Sequence, residues 1–372
     1  MTLRPEKDIT KILLSTPSYF VGNYEDNGFL LTRAWTKEDA LSYASLNMSY
    51  FILAIKTPPP DTHPGAIISD YSRIGDIVCV YLSMLYGKRF DNHGLVESVG
   101  HFYRPSPSPI SIYDPRLPFN SRNPRPDLEI PLSLREIKRI APLVKALLNE
   151  EQCDEEFEEF MHFLISAGRF YVHALQQAES QPEIAFLDLI TCGEILSNFP
   201  DYDPDELLDT QIKADLARIE KEIKGGEKLV KRIQGRLFSI KRKFIKTIHN
   251  LLNPYFFQQS EARESYDRLN QADISARIKA AYDLRSRYVH TGVDFGEWIK
   301  PIGRFNNEIQ MGTPVIEDGD LKKILTRSPT FIGMERIMRF CLLRFMHLNG
   351  VFIDLRLEGK GLGMSEEEAT KR

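Results

Sequence analysis

The sequence predicts an α+β fold, in which a small α+β N-terminal domain precedes a mainly α-helical C-terminal bundle. Before residue 105 the chain contains short runs of β-branched and aromatic residues bounded by turn residues, a pattern typical of strands. After residue 131 the apolar residues recur with a helical period of about 3.6. Eight of the 22 prolines lie from Pro105 to Pro131, and this stretch predicts an extended connector between the two parts.

Length and composition exclude several classes of protein. The 372 residues are enough for two domains. With 42% apolar residues and a net charge of only −4, the chain is too apolar to be disordered. No apolar run reaches the roughly 20 residues of a membrane span, and the N-terminus has no signal-peptide core. The four cysteines are too widely spaced for a disulfide framework or a cysteine zinc site. We therefore expect a cytoplasmic protein with no membrane contact.

The N-terminal domain, residues 1–130, is predicted to contain strands and a helix. Strand patterns occur at Phe29–Trp35 and Tyr50–Lys56, and a further strand is predicted over residues 96–103. Apolar residues at helical spacing before Gly87 predict a helix that ends at this glycine. None of these residues indicates a role for the domain.

The C-terminal bundle, residues 132–357, is predicted to be entirely α-helical. Gly225 and Gly226 separate two long charged helices, which predicts a helical hairpin. The tail, residues 358–372, is predicted to be disordered. The predicted helices span residues 134–149, 153–178, 182–198, 205–224, 227–251, 273–290 and 329–350.

Two charged segments lie within the bundle. Residues 150–159 hold seven acidic residues, which we interpret as a solvated helix start that the helix dipole favours. Residues 212–246 hold twelve Lys or Arg and four Asp or Glu. This basic segment is either a solvated helix surface or a surface that binds RNA phosphates. The second interpretation makes Lys241, Arg242 and Lys243 candidate RNA contacts.

Familiar catalytic motifs do not occur in the sequence. There is no G-x-x-x-x-G-K-[ST] phosphate loop, no H-E-x-x-H helix and no G-x-S-x-G nucleophile elbow. The histidines have no metal-ligand partners at useful spacing. We therefore predict neither a metal site nor a cofactor.

One helix combines an arginine and a histidine in a distinctive context. An apolar stripe runs along the helix predicted over residues 273–290, and Arg285 continues it at the next i+4 step. An arginine at the end of a core-facing stripe needs a partner or a polar groove. His290 follows near the predicted helix end, and histidine exchanges protons near neutral pH. Arg242 and His249 have a similar spacing, so only the context favours the first pair.

The segment YDLRSRYVHTG, residues 282–292, resembles the R-x4-6-H motif of HEPN domains, particularly the Apea-like branch. In that family a polar residue commonly follows the arginine, as Ser286 does here, and a glycine often follows the histidine. Further upstream, FLDLITCGEIL resembles a family helix that carries a glutamate, which here is Glu194. The resemblance covers roughly residues 134–350 and is most specific at 282–292.

The resemblance implies a metal-independent endoribonuclease without a cofactor, acting on tRNA, mRNA or phage RNA. His290 would be the general acid or base, Arg285 would stabilise charge on the phosphate, and Ser286 would orient Arg285 or contact a phosphate oxygen. Glu194, on an apolar helix face, would hold Arg285. The products would be a 2′,3′-cyclic phosphate and a 5′-hydroxyl. In this family such activity serves anti-phage defence or toxin-like growth arrest.

The implied partners are RNA and a second copy of the chain. Arg287 and Tyr288 are further expected RNA contacts. Five residues along a helix rotate by about 140° and rise by about 7.5 Å, so Arg285 and His290 do not lie side by side. Two symmetry-related HEPN-like domains would bring both pairs into one groove. The N-terminal domain would then sense a regulatory protein or a phage trigger.

Two other interpretations remain open. The first is a non-catalytic HEPN-like module that binds RNA, a nucleotide or a protein. The second is a helical scaffold in which Arg285 and Glu194 form only a buried structural pair. One assay separates these interpretations from the ribonuclease. It compares RNA cleavage in the presence of EDTA by the parent protein, by Arg285→Ala and by His290→Ala.

Overall fold

The fold combines an antiparallel sheet near the N-terminus with helices through the rest of the chain, so the predicted α+β class is confirmed. The computed structural model describes residues 9–18, 20–26, 28–34, 49–57, 71–97, 132–148, 154–203, 207–208, 210–237, 240–260, 262, 264–300 and 307–353.

The chain divides into two compact units, one of residues 1–185 with 342–372 and the other of residues 186–341. The domain boundary near residue 131 stays a prediction from the sequence. The predicted connector over residues 105–131 and the predicted tail lie outside the described residues.

The first unit contains a five-stranded antiparallel sheet. Together with a separate pair of short strands, the described strands of this unit are β1 (Ile9–Thr16), β2 (Phe20–Val21), β3 (Tyr24–Glu25), β4 (Phe29–Arg33), β5 (Ser49–Lys56), β6 (Asp91–Glu97) and β7 (Leu132–Ser133). The sheet order is β3-β4-β5-β1-β6, and β2 pairs with β7 in parallel. All eight residues of β1, an interior strand, are buried, so the sheet is covered on both faces there.

The strands β4 and β5 confirm the two strand patterns predicted at the same places. The third predicted strand, over residues 96–103, overlaps β6 (Asp91–Glu97) at residues 96 and 97. Residues 98–103 are outside the described residues. Helix α1 (Ser72–Tyr86) ends as predicted, with Gly87 in the left-handed conformation and its amide donating to the Ser83 carbonyl at 2.8 Å.

Two further helices belong to the first unit, α2 (Ala141–Leu148) and α3 (Glu155–Gln177). The single helix predicted over residues 134–149 is wrong. Residues Leu134–Arg139 form a 3₁₀ helix, and Pro142 then lies in the first turn of α2. Proline has no amide hydrogen and clashes with the preceding turn, so a continuous helix cannot pass through it.

Residues 154–159, the described part of the acidic segment, form the start of α3, as we interpreted them. The Asp154 carboxylate accepts a hydrogen bond from the Phe157 amide at 2.8 Å, and the acidic side chains of the first turn are exposed. This arrangement satisfies one free amide of the helix N-terminus and places negative charge where the helix dipole favours it.

The remaining helices follow the predicted pattern, with additions. They are α4 (Pro182–Leu196), α5 (Thr210–Glu222), α6 (Gly226–Leu237), α7 (Ile240–Leu251), α8 (Pro254–Gln258), α9 (Ile274–Thr291), α10 (Gly319–Arg327) and α11 (Phe331–Leu348). The sequence patterns did not predict α8 and α10. The predicted helix over residues 227–251 corresponds to α6 and α7, and residues 238–239 between them lie outside the described part of the chain.

The helices α5 and α6 form the predicted hairpin, which we call the basic hairpin (residues 210–237). Gly225 at the turn has φ of 79°, a conformation that glycine adopts without strain. The hairpin closes around its own small apolar cluster, in which Leu216 and Val230 are buried. Its charged side chains therefore lie on the outside.

Candidate functional site

Arg285 lies on α9 where the predicted apolar stripe meets solvent. Ile274, Ile278 and Ala281 are buried along this stripe, and the Arg285 side chain at the next step is 27% exposed. Helix α9 packs against α7 and α10. The stripe that the sequence predicts is therefore confirmed, and it ends in a cation that reaches the surface.

The carboxylate of Glu194 on α4 is the partner of Arg285, as the sequence predicts. Arg285 Nη2 donates a hydrogen bond to Glu194 Oε2 at 3.2 Å, and the Glu194 side chain is 15% exposed. The preceding residue, Gly193, lets α4 approach α7 closely. A Cβ atom there would lie 2.5 Å from the Phe244 ring, which is far inside van der Waals contact.

Tyr282 completes this cluster, and the sequence patterns did not single it out. Burial, together with the neighbouring Glu194 carboxylate, raises the pKa of Tyr282 to about 12. The Arg285 guanidinium lies 5.9 Å from the centre of the Tyr282 ring. The same ring also contacts that of Phe244, at 5.3 Å between centres. Glu194, Tyr282 and Arg285 thus form one connected cluster, the arginine clamp.

Most of the donors of Arg285 are available to a ligand. An arginine has five N–H donors, and among the described residues only one Arg285 bond, to Glu194, is formed. Arg336 on α11 provides a contrast. It pairs with the fully buried Glu308 at 2.9 Å, donates to the Phe256 carbonyl and lies 4.0 Å from the Phe256 ring centre. Arg336 serves the core, whereas Arg285 remains open to an anion.

Ser286 and His290 follow Arg285 along α9. Ser286 is half-buried, and its hydroxyl has no hydrogen-bond partner among the described residues. His290 is exposed in the last turn of α9. The helix ends at Gly292, as predicted, where the amide donates to the Tyr288 carbonyl at 2.8 Å. An imidazole in this position is accessible to a bound substrate.

The two RNA contacts predicted beside the motif are engaged within the chain. Arg287 forms an ion pair with Asp318, the residue that caps the N-terminus of α10. A hydrogen bond from the Leu321 amide, together with the charge of Arg287, lowers the pKa of Asp318. The Tyr288 ring packs edge-on against Phe295, at 5.3 Å between centres. Their role in RNA binding stays a prediction.

The Lys-Arg-Lys run on α7 lies partly in the protein. Lys241 forms an ion pair with Asp283 of α9, two residues before Arg285. Arg242 and Lys243 are half-buried. A group of exposed cations lies instead on the basic hairpin, at Lys213, Arg218, Lys221, Lys224, Lys228, Lys231 and Arg232. The spacing in the sequence did not distinguish these two groups of basic residues.

Searches for metal ligands and membrane spans in the described residues, and comparisons with known proteins, found no match. Within the described residues, His, Cys, Asp and Glu side chains form no group of three or more that would hold a metal ion. In the same part of the chain, every helix is too short or too polar to cross a bilayer. No protein-family model, curated protein or solved structure matches the chain.

Proposed function

We propose that this protein is a HEPN-type endoribonuclease of the cytoplasm, which cleaves RNA without a metal ion. The reaction would be an attack of the 2′-hydroxyl on the adjacent phosphate. RNA carries this nucleophile next to every phosphodiester, so the chemistry needs only proton transfer and stabilisation of negative charge.

The observation that carries this proposal is the arginine clamp. Arg285 is held at one nitrogen by Glu194, is partly exposed and keeps its other donors without partners among the described residues. Guanidinium groups bind phosphate through paired hydrogen bonds in a fixed plane. The motif resemblance of residues 282–292 supports the same function, because it places a histidine in the next turns of the same helix.

Each residue of the proposed site has a distinct role. His290 takes the proton of the 2′-hydroxyl, or donates a proton to the leaving 5′-oxygen, as the P–O5′ bond breaks. Arg285 stabilises the charge that builds on the phosphate oxygens, and Ser286 contacts the phosphate or orients Arg285. Glu194 is a positioning residue that acts through Arg285. The products are a 2′,3′-cyclic phosphate and a 5′-hydroxyl.

The proposal includes a homodimer. Since Arg285 and His290 are separated by about 140° around α9, one chain does not present both to the same phosphate. An isologous contact between two copies of α9 would place both pairs in one groove. The basic hairpin would bind RNA phosphates beyond the cleaved bond. The biological role that we propose is anti-phage defence or toxin-like growth arrest, with the N-terminal domain as sensor.

The test is cleavage of total RNA by the purified full chain in the presence of EDTA. We expect cleavage by the parent, and loss of cleavage by Arg285→Ala and by His290→Ala. Because the His290 side chain is exposed and forms no hydrogen bond, ion pair or ring contact among the described residues, His290→Ala should keep the thermal midpoint of the parent. Undiminished cleavage by either variant would refute the assignment of the site.

One observation favours a second candidate, a module that binds RNA without cleaving it. Within one chain, His290 lies on a different side of α9 from Arg285, so a monomer would bind phosphate and do no chemistry. In that case the parent would bind RNA in an Arg285-dependent manner and leave it intact. The cleavage assay therefore decides between the two candidates.

A further inference from the structure

We infer that the hydroxyl group of Tyr288 is a second ligand of the phosphate that Arg285 binds, within the same chain. The two residues lie three positions apart on α9, about 60° apart around the helix and about 4.5 Å apart along it. Side chains at this spacing are neighbours on a helix surface. The inference rests on the proposed function, because it takes the phosphate of an RNA backbone as the ligand of Arg285.

The Tyr288 ring is held by a row of aromatic contacts that begins on α4. It packs edge-on against Phe295, which is buried, at 5.3 Å between ring centres. Phe295 packs in the same way against the buried Phe186 of α4, at 5.8 Å. Helix α4 also carries Glu194, the partner of Arg285. One helix therefore fixes both side chains, Arg285 by an ion pair and Tyr288 through ring contacts.

The Tyr288 hydroxyl is open to a ligand. It forms no hydrogen bond with another described residue, and it is not among their buried polar atoms that lack a partner, so its oxygen reaches solvent. A phenol donates one hydrogen bond, and tyrosine hydroxyls commonly contact phosphate oxygens in nucleic-acid complexes. A phosphate bound to Arg285 therefore has a second donor one turn along the same helix.

The change Tyr288→Phe separates this role from the stacking of an RNA base, because it removes the hydroxyl and keeps the ring. Loss of one hydrogen bond to a charged group corresponds to about tenfold to a hundredfold in affinity. We expect a fall of this size in RNA affinity and in kcat/KM, with the thermal midpoint of the parent, since the contact with Phe295 remains. A variant that keeps the affinity of the parent would overturn the inference, because a stacked base needs only the ring.

The binding probe is a single-stranded RNA oligonucleotide with 2′-O-methyl groups. A methylated 2′-oxygen cannot attack the phosphate, so the probe stays intact while its affinity for the full chain is measured over a series of salt concentrations. The matched control is Tyr266→Phe in the 3₁₀ turn Ser265–Asp267, outside α9. It also removes a hydroxyl that forms no hydrogen bond among the described residues, from a side chain that is exposed. The control should keep the affinity of the parent.

The salt dependence separates a direct contact of Tyr288 from an indirect effect on Arg285. Each phosphate that a cation neutralises on a single strand contributes about 0.7 to the slope of log affinity against log salt. Tyr288→Phe removes a neutral donor, so affinity should fall at every salt concentration while the slope stays that of the parent. Arg285→Ala should lower the slope by about 0.7. A lower slope for Tyr288→Phe would show that the variant displaces Arg285, and would refute the direct contact.

Cleavage of unmodified RNA keeps this inference separable from the ribonuclease proposal. If the parent binds the probe through Arg285 and Tyr288 but cleaves no RNA, the proposed function fails and the inference stands. If the parent cleaves RNA, and Tyr288→Phe binds the probe and cleaves RNA as the parent does, the proposed function stands and the inference is wrong. If Arg285→Ala binds the probe with the affinity and slope of the parent, Arg285 is not a phosphate ligand, and the inference is wrong.

Discussion

Glu194 illustrates how one carboxylate serves both stability and the site. It lies on a helix face between buried residues and neutralises an arginine that would otherwise be costly to bury. It also limits the freedom of that arginine, which is what the proposed phosphate site requires. The contrast with the fully buried Glu308–Arg336 pair shows that the chain contains both kinds of arginine–glutamate pair.

We predict that Glu194→Ala lowers both stability and RNA cleavage. The expected loss in the free energy of unfolding is about 1.5–3 kcal/mol, the range for a hydrogen bond to a charged group. A fully buried pair would lose more, but Arg285 can still reach water. Denaturant unfolding measures this loss. Glu194→Gln, which keeps an acceptor, should be closer to the parent, and an alanine variant as stable as the parent would contradict the pairing.

The clamp was predictable from the sequence only in part. Arg285 and Glu194 each continue an apolar helix stripe. A charge in such a position needs an opposite charge as its partner, so the sequence pattern predicts their ion pair. Tyr282 lies at helical spacing in the same stripe, where an aromatic residue is usually core. Its ring contacts Phe244 of α7, a different helix, and the periodicity of one helix contains no information about such a contact.

At the scale of elements, amphipathic helices were predictable and short or fully buried elements were not. The interior strand β1 escaped prediction because its buried residues include Lys11 and Ser15, which interrupt both the alternating and the apolar patterns. Helix α10 is only nine residues long and starts at a glycine. Its clearest signal was Asp318 as an N-cap, which is informative only once the following turn is known.

Ser15 belongs to a polar contact inside the sheet that should make stability depend on pH. Its hydroxyl lies 2.7 Å from His93 Nε2. Burial lowers the pKa of His93 below its ordinary 6.5, with opposing smaller effects of Asp91 and Arg89. Below pH 6.5 the unfolded chain therefore binds a proton that the folded chain resists, and stability falls until the folded pKa is passed.

We predict that His93→Gln removes this pH dependence. The measurement is the free energy of unfolding near about pH 7.5 and about pH 5, on either side of the ordinary histidine range. The parent should lose more stability between these values than the variant, since glutamine does not titrate. Equal losses in the two proteins would show that His93 is solvated in the folded state.

The basic hairpin leads to a prediction about salt. On α6 the exposed Lys228, Lys231 and Arg232 lie opposite the buried Val230. If this face binds RNA, each neutralised phosphate contributes about 0.7 to the slope of log affinity against log salt. Replacing all three cations with glutamate should therefore reduce the slope by about 2. Filter binding at several salt concentrations measures it.

The control replaces Arg169, Lys279 and Arg327 with glutamate, which changes the net charge equally on exposed positions outside the hairpin. It should preserve the slope. If the hairpin variant also keeps the slope of the parent, Lys228, Lys231 and Arg232 belong to a solvated surface that does not bind RNA. Lys241 is unsuitable for this test, because its replacement would also break the ion pair with Asp283.

At the scale of the whole molecule, the proposed dimer needs a surface through which two copies share one site. The end of α9 carries exposed apolar side chains on both sides of His290, Val289 at 52% and Val293 at 39% exposure. Exposed apolar residues beside a proposed catalytic group favour a contact that covers them. A two-fold contact through this end would bring each His290 toward the partner copy.

We predict that Val289→Asp weakens the dimer and RNA cleavage together, since a charge would be buried at the contact. Tyr266→Asp, at a position that is 58% exposed, is the matched control and should alter neither. Sedimentation and cleavage are measured over the same dilution series with EDTA present. Activity should fall in step with the dimer, and Val289→Asp should shift both curves to higher concentration. A fully active monomer, or activity that EDTA abolishes and a divalent ion restores, would overturn the shared, metal-independent groove.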